Sequence, residues 1–271
     1  MAPSSDGGKR LDTHLNKRKE SDLMLNGAFV QSLENHYRRD LSEQPLEWTV
    51  SPALHHKITE DGRMQAFYGA TTVLKLNEED KLKCRAVGER LFEGLSLPLV
   101  TILPETYHLT VHALSNPYNV PGGTTELVLA DIARREETVA VLFRNVREMY
   151  GGEKIRMRAL GPSTNGKDVV SLKFVPSQDR DAKLLCDLFQ RLESLLPLQK
   201  PYVPHVSLAY FLPRPYNAGQ IAALYNRLRE LDSDAFRFEL TLDVMEMAYQ
   251  LHSHMNDFRD IFTVGSVGLH P

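Results

Sequence analysis

The sequence predicts an α/β protein of the α+β type, with two lobes of mostly antiparallel sheet, helices on the outside and a groove between the lobes. The first observation behind this prediction is an order of elements that occurs twice: strand, helix, histidine-bearing strand, helix, strand. The second is spacing, because Thr72 precedes His108 by 36 residues and Val169 precedes His205 by the same interval. Two such halves, related by a pseudo-twofold axis, would bring the histidine strands together at a central groove.

Composition limits the class of protein. At 271 residues, with 42% hydrophobic and 25% charged residues, the chain is typical of a globular protein with a real core. A net charge of −3 provides no basic field for duplex nucleic acid, whose sequence-independent binding depends on phosphate neutralisation. Two cysteines in helix-like segments predict a reducing compartment and no disulfide framework. Without a signal-like segment or a run of about 18 apolar residues, we expect an intracellular protein, cytoplasmic or nuclear, with no membrane partner.

The chain is predicted to consist of an N-terminal tail and helix over 1–45 and a single bilobal domain over 46–271. Residues 1–20 are charged and rich in Gly and Ser, which is typical of a mobile tail. Apolar residues recur at helical spacing over 22–41 and predict one amphipathic helix.

The lobes are predicted to span roughly 66–160 and 168–262, each with one copy of the repeated order. β-branched runs predict the strands, and apolar residues at helical spacing predict the helices. The first half is predicted to contain a strand over 69–76, a helix over 78–95 capped by Asn77, a histidine strand over 107–114, a helix over 125–150 that stops at Gly151, and a strand over 155–160. The second is predicted to contain a strand over 169–175, a helix over 179–196, a histidine strand over 202–212, a helix over 217–231, and one or two strands within 236–249.

Each histidine strand carries a histidine followed two residues later by a hydroxyl side chain. These pairs are His108 with Thr110 and His205 with Ser207, and no other His-x-Thr/Ser occurs in the chain. Because side chains at i and i+2 of a strand point to the same face, each pair faces one side of its sheet. Packing alone gives no reason to repeat such a pair at the same place in both halves, so the repetition predicts one site built from two half-sites.

The two pairs suit the cleavage of a phosphodiester. One imidazole can act as the base that activates a hydroxyl or water, and the other as the acid that protonates the departing oxygen, because histidine titrates near neutral pH. A hydroxyl beside each imidazole can hold the negative oxygens of the phosphoryl group. This chemistry needs no metal and no cofactor, and the sequence contains no carboxylate-rich cluster that suggests a metal site.

Other polar and aromatic residues have weaker patterns. His112 shares a face with His108 and Thr110 if alternation is strict, so it is a possible groove-lining residue. Three tyrosines lie on or near the groove strands, where core packing is the preferred interpretation and stacking of a base, as groove-lining residues, is the alternative: Tyr202, Tyr210 and Tyr249. His252 and His254 lack further ligands at metal-binding spacing and are predicted to lie on the surface.

His108-Leu109-Thr110 and His205-Val206-Ser207, each followed by an apolar residue, resemble the paired H-x-T/S-φ motifs of the 2H phosphoesterase superfamily. That superfamily includes the LigT-like RNA cyclic phosphodiesterases, also called 2′-5′ RNA ligases. The resemblance covers roughly 66–262. It implies a bilobal fold and metal-independent cleavage of cyclic or 2′,5′-linked phosphodiesters.

By the same resemblance His108 and His205 are the catalytic pair, and Thr110 and Ser207 bind the phosphate. The stretch from Lys57 to Gly69 resembles a poorly characterised branch of these proteins, so the substrate is not carried over.

Three functions follow as hypotheses. The first is a hydrolase acting on a small cyclic nucleotide or an RNA end. The second is a protein of the same fold that binds such a ligand without cleaving it. The third is a scaffold that assembles through the helices predicted over 22–41 and 125–150. The sequence leaves open the exact linkage, the base preference, which histidine is the acid, and the oligomeric state.

Overall fold

The computed structural model describes residues 27–165, 168–198, 200–233 and 236–268. The predicted tail over 1–20, and the start of the predicted N-terminal helix, lie outside the described residues. The helices are α1 (27–42), α2 (Glu78–Phe92), α3 (Thr125–Tyr150), α4 (Asp179–Glu193) and α5 (Ala218–Glu230). The strands are β1 (Gly69–Lys75), β2 (Leu99–Thr101), β3 (His108–Ala113), β4 (Lys154–Asn165), β5 (Val169–Pro176), β6 (His205–Phe211), β7 (Glu239–Asp243), β8 (Met247–His254) and β9 (Asp257–Thr263). None of the described helices combines the length and the apolar character needed to cross a membrane.

The strands form two antiparallel sheets. The first sheet has the order β3-β1-β8-β9, and the second has the order β2-β6-β5-β4-β7. Helix α3 packs against β1 of the first sheet, α5 packs against β4 of the second, and α4 contacts β4, β5 and β3. The two histidine strands, β3 and β6, contact each other although they belong to different sheets. The predicted α+β fold class with two antiparallel lobes is therefore confirmed.

The sheets do not coincide with the two predicted halves of the sequence. Strand β4 ends the first half but lies in the second sheet, and β8 and β9 end the second half but lie in the first sheet. Only three residues of sequence separate β4 from β5, and strands that are so close in sequence usually pair with each other. A 3-10 turn at Val244–Glu246 then takes the chain from β7 back to the first sheet. The two lobes therefore exchange their last strands.

Helix ends follow the predicted local signals. Asn77 caps α2 by accepting a hydrogen bond from the Asp80 amide at 2.8 Å. Helix α3 ends at Gly151, and Gly152 follows with a φ of 87°, a left-handed conformation that costs glycine little. The Asn77 cap lies in the connection from β1 to α2, and Gly151 and Gly152 lie in the connection from α3 to β4.

Helix α1 packs on the second sheet. Its Tyr37 is buried, and the phenol lies against Gly161 of β4, where an added Cβ would clash with the Tyr37 hydroxyl oxygen. The Ser163 hydroxyl donates to the Asp40 carboxylate at 2.9 Å, and Arg158 pairs with Glu34 at 2.9 Å. The predicted boundary at residue 45 thus falls between two segments that both contact the second sheet, and the division into 1–45 and 46–271 stays a prediction.

Candidate active site

The contact between β3 and β6 forms one side of a cavity of about 610 Å³. His108 and Thr110 line it from β3, and His205 and Ser207 line it from β6. Each histidine and each hydroxyl residue is partly exposed, whereas the residue between them is buried. The structure thus brings the two predicted half-sites together, in a space of the size that small-molecule sites usually have.

A β-bulge interrupts the alternation of β3. In the pairing with β1, Thr72 lies opposite His112 and Val73 lies opposite Thr110, so Val111 has no partner. Val111 and His112 are consequently both buried, and Ala113 rather than His112 lines the cavity. His112 Nε2 lies 3.0 Å from Glu193 Oε2 on α4. The expectation that His112 lines the groove assumed strict alternation, and the bulge corrects it.

Strand β6 carries the equivalent bulge. Its pairing with β5 places Ser171 opposite Ser207 and Val170 opposite Ala209, which leaves Leu208 without a partner. Leu208 and Ala209 are both buried, and Tyr210 lines the cavity. Tyr210 therefore reaches the cavity by the same irregularity that turns His112 away from it.

The other two candidate tyrosines lie elsewhere. The Tyr202 hydroxyl donates to the Thr110 carbonyl at 3.1 Å, and its ring stacks on Phe189 with centroids 4.7 Å apart. Tyr249 is fully buried and packs on Phe262. Tyr202 lies in the segment before β6 and joins that segment to β3 through its hydrogen bond, and Tyr249 belongs to the core of the first sheet. Neither lines the cavity, and both take packed positions, as the preferred interpretation had it.

Both histidine rings are held in the same way. His108 Nδ1 lies 2.7 Å from the Thr106 carbonyl, and His205 Nδ1 lies 2.8 Å from the Val203 carbonyl. A carbonyl only accepts hydrogen bonds, so Nδ1 carries the hydrogen and donates it in both rings. The neutral tautomer is therefore defined, and Nε2 is the nitrogen that can take up or release a proton.

Burial keeps both imidazoles neutral. Burial lowers the pKa of His108 to about 4. The hydrogen bond to the Thr106 carbonyl raises that pKa, but its effect is smaller than that of burial. Burial, together with the charge of Lys173, lowers the pKa of His205 to about 3. Two titratable groups with strongly shifted pKa values in one cavity are typical of a functional site.

A third histidine adjoins the pair. His252 is 8% exposed and lines the cavity, so its predicted surface position is wrong. Its Nδ1 donates to the Phe67 carbonyl at 2.7 Å, and Phe258 lies between it and His108, with ring centroids 5.4 and 4.8 Å away. Gly69 lies opposite His252 in the sheet, where a Cβ would come within 2.6 Å of the ring. The placement depends on pairing between β1 and β8, a long-range contact with no local sequence signal.

Lys57 is a further cavity residue that sequence patterns did not single out as functional. Its ammonium nitrogen lies 4.9, 5.7 and 5.8 Å from the ring centroids of Phe67, Tyr210 and Tyr118. Burial lowers the pKa of Lys57 to about 8, although the negative charge of Asp168 acts in the opposite direction and raises it. Within the described residues, no group of three or more His, Cys, Asp or Glu side chains is arranged to hold a metal ion.

The fold and the site together describe an α+β protein with two histidine half-sites in one cavity. No family model and no curated protein matches the sequence. Among solved structures, a conserved protein of unknown function from Agrobacterium tumefaciens, ATU0111, is similar with a TM-score of 0.55 and 14% identity, over 80% of this chain and 94% of that one.

Two further structures are similar at lower scores. LigT from E. coli, solved in complex with ATP, has a TM-score of 0.40 and 12% identity, over 69% of this chain and 88% of its own. TT0787 from Thermus thermophilus has a TM-score of 0.43 and 17% identity, over 72% of this chain and 97% of its own. At 14% identity, the likeness to ATU0111 is one of fold alone.

Proposed function

We propose that the protein is a metal-independent phosphodiesterase that hydrolyses a 2′,3′-type cyclic nucleotide or a related RNA-end phosphodiester. The observation that carries this proposal is the pairing of two His-x-Thr/Ser half-sites across one cavity, with the same Nδ1 hydrogen bond in each. Two imidazoles with defined tautomers provide the base and the acid that the reaction requires.

The reaction would proceed by an in-line displacement. Nε2 of the neutral imidazole takes a proton from water as the water oxygen forms a bond to phosphorus. The bond from phosphorus to one ribose oxygen breaks. The second imidazole, which is protonated at the start of this step, donates its Nε2 hydrogen to that oxygen. The Thr110 and Ser207 hydroxyls can donate hydrogen bonds to the non-bridging oxygens, where negative charge accumulates. The product is a phosphate monoester.

The low pKa values fit this scheme once the substrate charge is considered. Burial disfavours the imidazolium, and the negative charge of a bound phosphodiester favours it. Substrate binding would therefore favour the protonated form of the imidazole that acts as the acid.

The test is turnover of 2′,3′-cyclic nucleotides and 2′,5′-linked dinucleotides with EDTA present. We expect His108→Ala and His205→Ala each to lower kcat by about 10²–10⁴-fold, as loss of an acid or base does. His36→Ala on α1, outside the cavity, is the matched control and should keep full activity. Activity that depends on a metal would contradict the mechanism. Tight nucleotide binding with no turnover on either substrate would favour the alternative of a binding protein.

A further inference from the structure

Lys57 places a positive charge in the lining of the two-histidine cavity, where the charge of Asp168 acts on it only from beyond ion-pair distance. Among the residues that the structure describes, its ammonium has no hydrogen-bond or ion-pair partner, and its near neighbours are the rings of Phe67, Tyr118 and Tyr210. The rings stabilise the cation through their π faces, but they leave all three N–H donors unused.

An unpaired cation in such a place costs stability. Removing an ammonium from water without a hydrogen-bond partner is unfavourable, and the lowered pKa of Lys57 is one consequence. A methionine has a similar length and would pack on the same three rings without that cost. The charge is therefore poorly explained by packing alone, and it fits a ligand that supplies a negative charge.

The surroundings hold Lys57 in place. It follows the 3-10 turn at Pro52–His56, and its amide donates to the Leu54 carbonyl at 2.9 Å. The Tyr118 hydroxyl donates to the Ala53 carbonyl of the same turn, and the next residue, Ile58, is fully buried. Lys57 is thus part of a well-packed segment that lines the cavity, unlike a lysine side chain that extends freely into solvent.

Tyr210 adds a hydroxyl to this end of the cavity. It follows His205 by five residues and lines the cavity, and its Oη has no hydrogen-bond partner within the described part of the chain. The equivalent position on β3 is Ala113, which carries no polar group. An ammonium and a hydroxyl with unused donors therefore occur together on one side of the cavity, in addition to the donors of the two half-sites.

We propose that Lys57 and Tyr210 form a second anion subsite, which binds a phosphate monoester of the substrate while His108 and His205 act on the phosphodiester. This proposal rests on the proposed function and narrows its substrate class to nucleotides or RNA ends with a phosphate beyond the scissile one. A 2′,3′-cyclic nucleotide that also carries a 5′-phosphate is the simplest member of that class.

The experiment compares two substrates at pH 7, adenosine 2′,3′-cyclic phosphate with and without a 5′-phosphate. The wild type should prefer the 5′-phosphorylated substrate. In Lys57→Met, kcat/KM for that substrate should fall roughly 10- to 100-fold, the effect of losing a charged hydrogen bond, and kcat/KM for the other should change little. Tyr210→Phe should give a smaller loss with the same selectivity. Lys154→Met, which removes an exposed charge outside the cavity, is the matched control.

A binding arm separates this proposal from the proposed function. Affinities for adenosine 2′,5′-bisphosphate and adenosine 2′-monophosphate are measured by calorimetry in the wild type and in Lys57→Met. A bisphosphate preference that Lys57→Met abolishes supports the subsite even if no substrate is turned over. Equal affinities in the wild type, or a preference that Lys57→Met leaves intact, would overturn it. Thermal unfolding should show Lys57→Met to be at least as stable as the wild type, whereas a structural role predicts destabilisation.

Discussion

The two half-sites share a motif, a bulge and a hydrogen bond, yet their electrostatic surroundings differ. Lys75 lies opposite His108 in the first sheet, and its charge is met by Asp260 at 2.9 Å and Glu246 at 3.5 Å. Lys173 lies opposite His205 in the second sheet, where it is 1% exposed and its charge lowers the pKa of that histidine. Two equivalent motifs thus differ in electrostatic surroundings because of the lysines on their partner strands.

The difference suggests a division of roles. The charge of Lys173 disfavours a second positive charge on His205, so His205 resists protonation and is suited to act as the base. His108 packs against Phe258 with ring centroids 4.8 Å apart, and its pKa is lowered by burial with no neighbouring positive charge among the described residues contributing. We therefore assign His205 as the base and His108 as the acid in hydrolysis, as a hypothesis that the first prediction tests.

The largest expected effect distinguishes acid from base by the leaving group. An aryl phosphodiester with a nitrophenolate leaving group needs no protonation, whereas a ribose oxygen does. His108→Gln should lower kcat by about 10²–10⁴-fold on the cyclic nucleotide and by only about tenfold on the aryl ester. His205→Gln should lower kcat by a similar large factor on both. The measurement is kcat for both variants on both substrates.

The reverse pattern, with rescue of His205→Gln by the aryl ester, would exchange the two roles. Equal losses on both substrates for both variants would mean that the half-sites act symmetrically, in spite of their different lysines.

A smaller effect is expected from the lysine itself. Lys173→Met removes the cation opposite His205, so the pKa of His205 should rise towards its ordinary value. The acidic limb of kcat/KM, which reports the base of the free enzyme, should move to higher pH by the same amount. At pH 7 the change in kcat/KM should stay below about tenfold, because the base remains largely neutral there. NMR titration of the His205 ring in the wild type and the variant measures the pKa directly.

Lys75→Met is the control from the equivalent position of the first sheet. Because Asp260 and Glu246 already balance that charge, the pKa of His108 should move less than that of His205 does in Lys173→Met. A larger shift at His108 would show that the lysines do not cause the asymmetry.

The same comparison shows what the sequence could and could not predict. The order of elements, the caps and the two motifs depend on local patterns, so His108, Thr110, His205 and Ser207 were found together as expected. The bulges could not be predicted from local patterns, because the register of β3 is set by its pairing with β1. One skipped residue reverses the alternation beyond it. For that reason His112 was expected in the groove and lies outside it.

Residues from distant segments were also beyond local patterns. His252 reaches the cavity because β8 pairs with β1, and Lys57 because the loop before β1 packs on Tyr210 of the second sheet. The exchange of final strands between the sheets has the same origin, since short connections determined the pairing. Repeats and motifs thus predict which strands meet, whereas tertiary pairing decides which additional side chains join them.

The smallest expected effect concerns acid stability, which should also differ between the two sides. His108 and His252 from the first sheet and His205 from the second all have pKa values lowered by burial, to about 4, 4 and 3. The unfolded chain binds protons at these rings near pH 6.5 and the folded chain does not. The contribution of these neutral rings to the free energy of unfolding is therefore fully present above about pH 6.5, and it is lost as the pH falls from there towards 4. Since the rings of His108 and His205 are partly exposed to the cavity, we expect each to contribute about 1 kcal/mol.

Asparagine can keep the donation that Nδ1 makes, but it cannot be protonated, so it is a suitable probe. Urea unfolding at pH 7 and pH 4.5 measures how much free energy of unfolding each variant loses between the two values. The double variant His108→Asn/His252→Asn should lose less than the wild type, by about 2 kcal/mol, and His205→Asn should lose less by about 1 kcal/mol. Carboxylates contribute equally to all these chains and cancel in the differences. If the double variant lost as much stability as the wild type, the two rings of the first sheet would not be held neutral by burial. The electrostatic contrast with His205 would then have to arise from Lys173 alone.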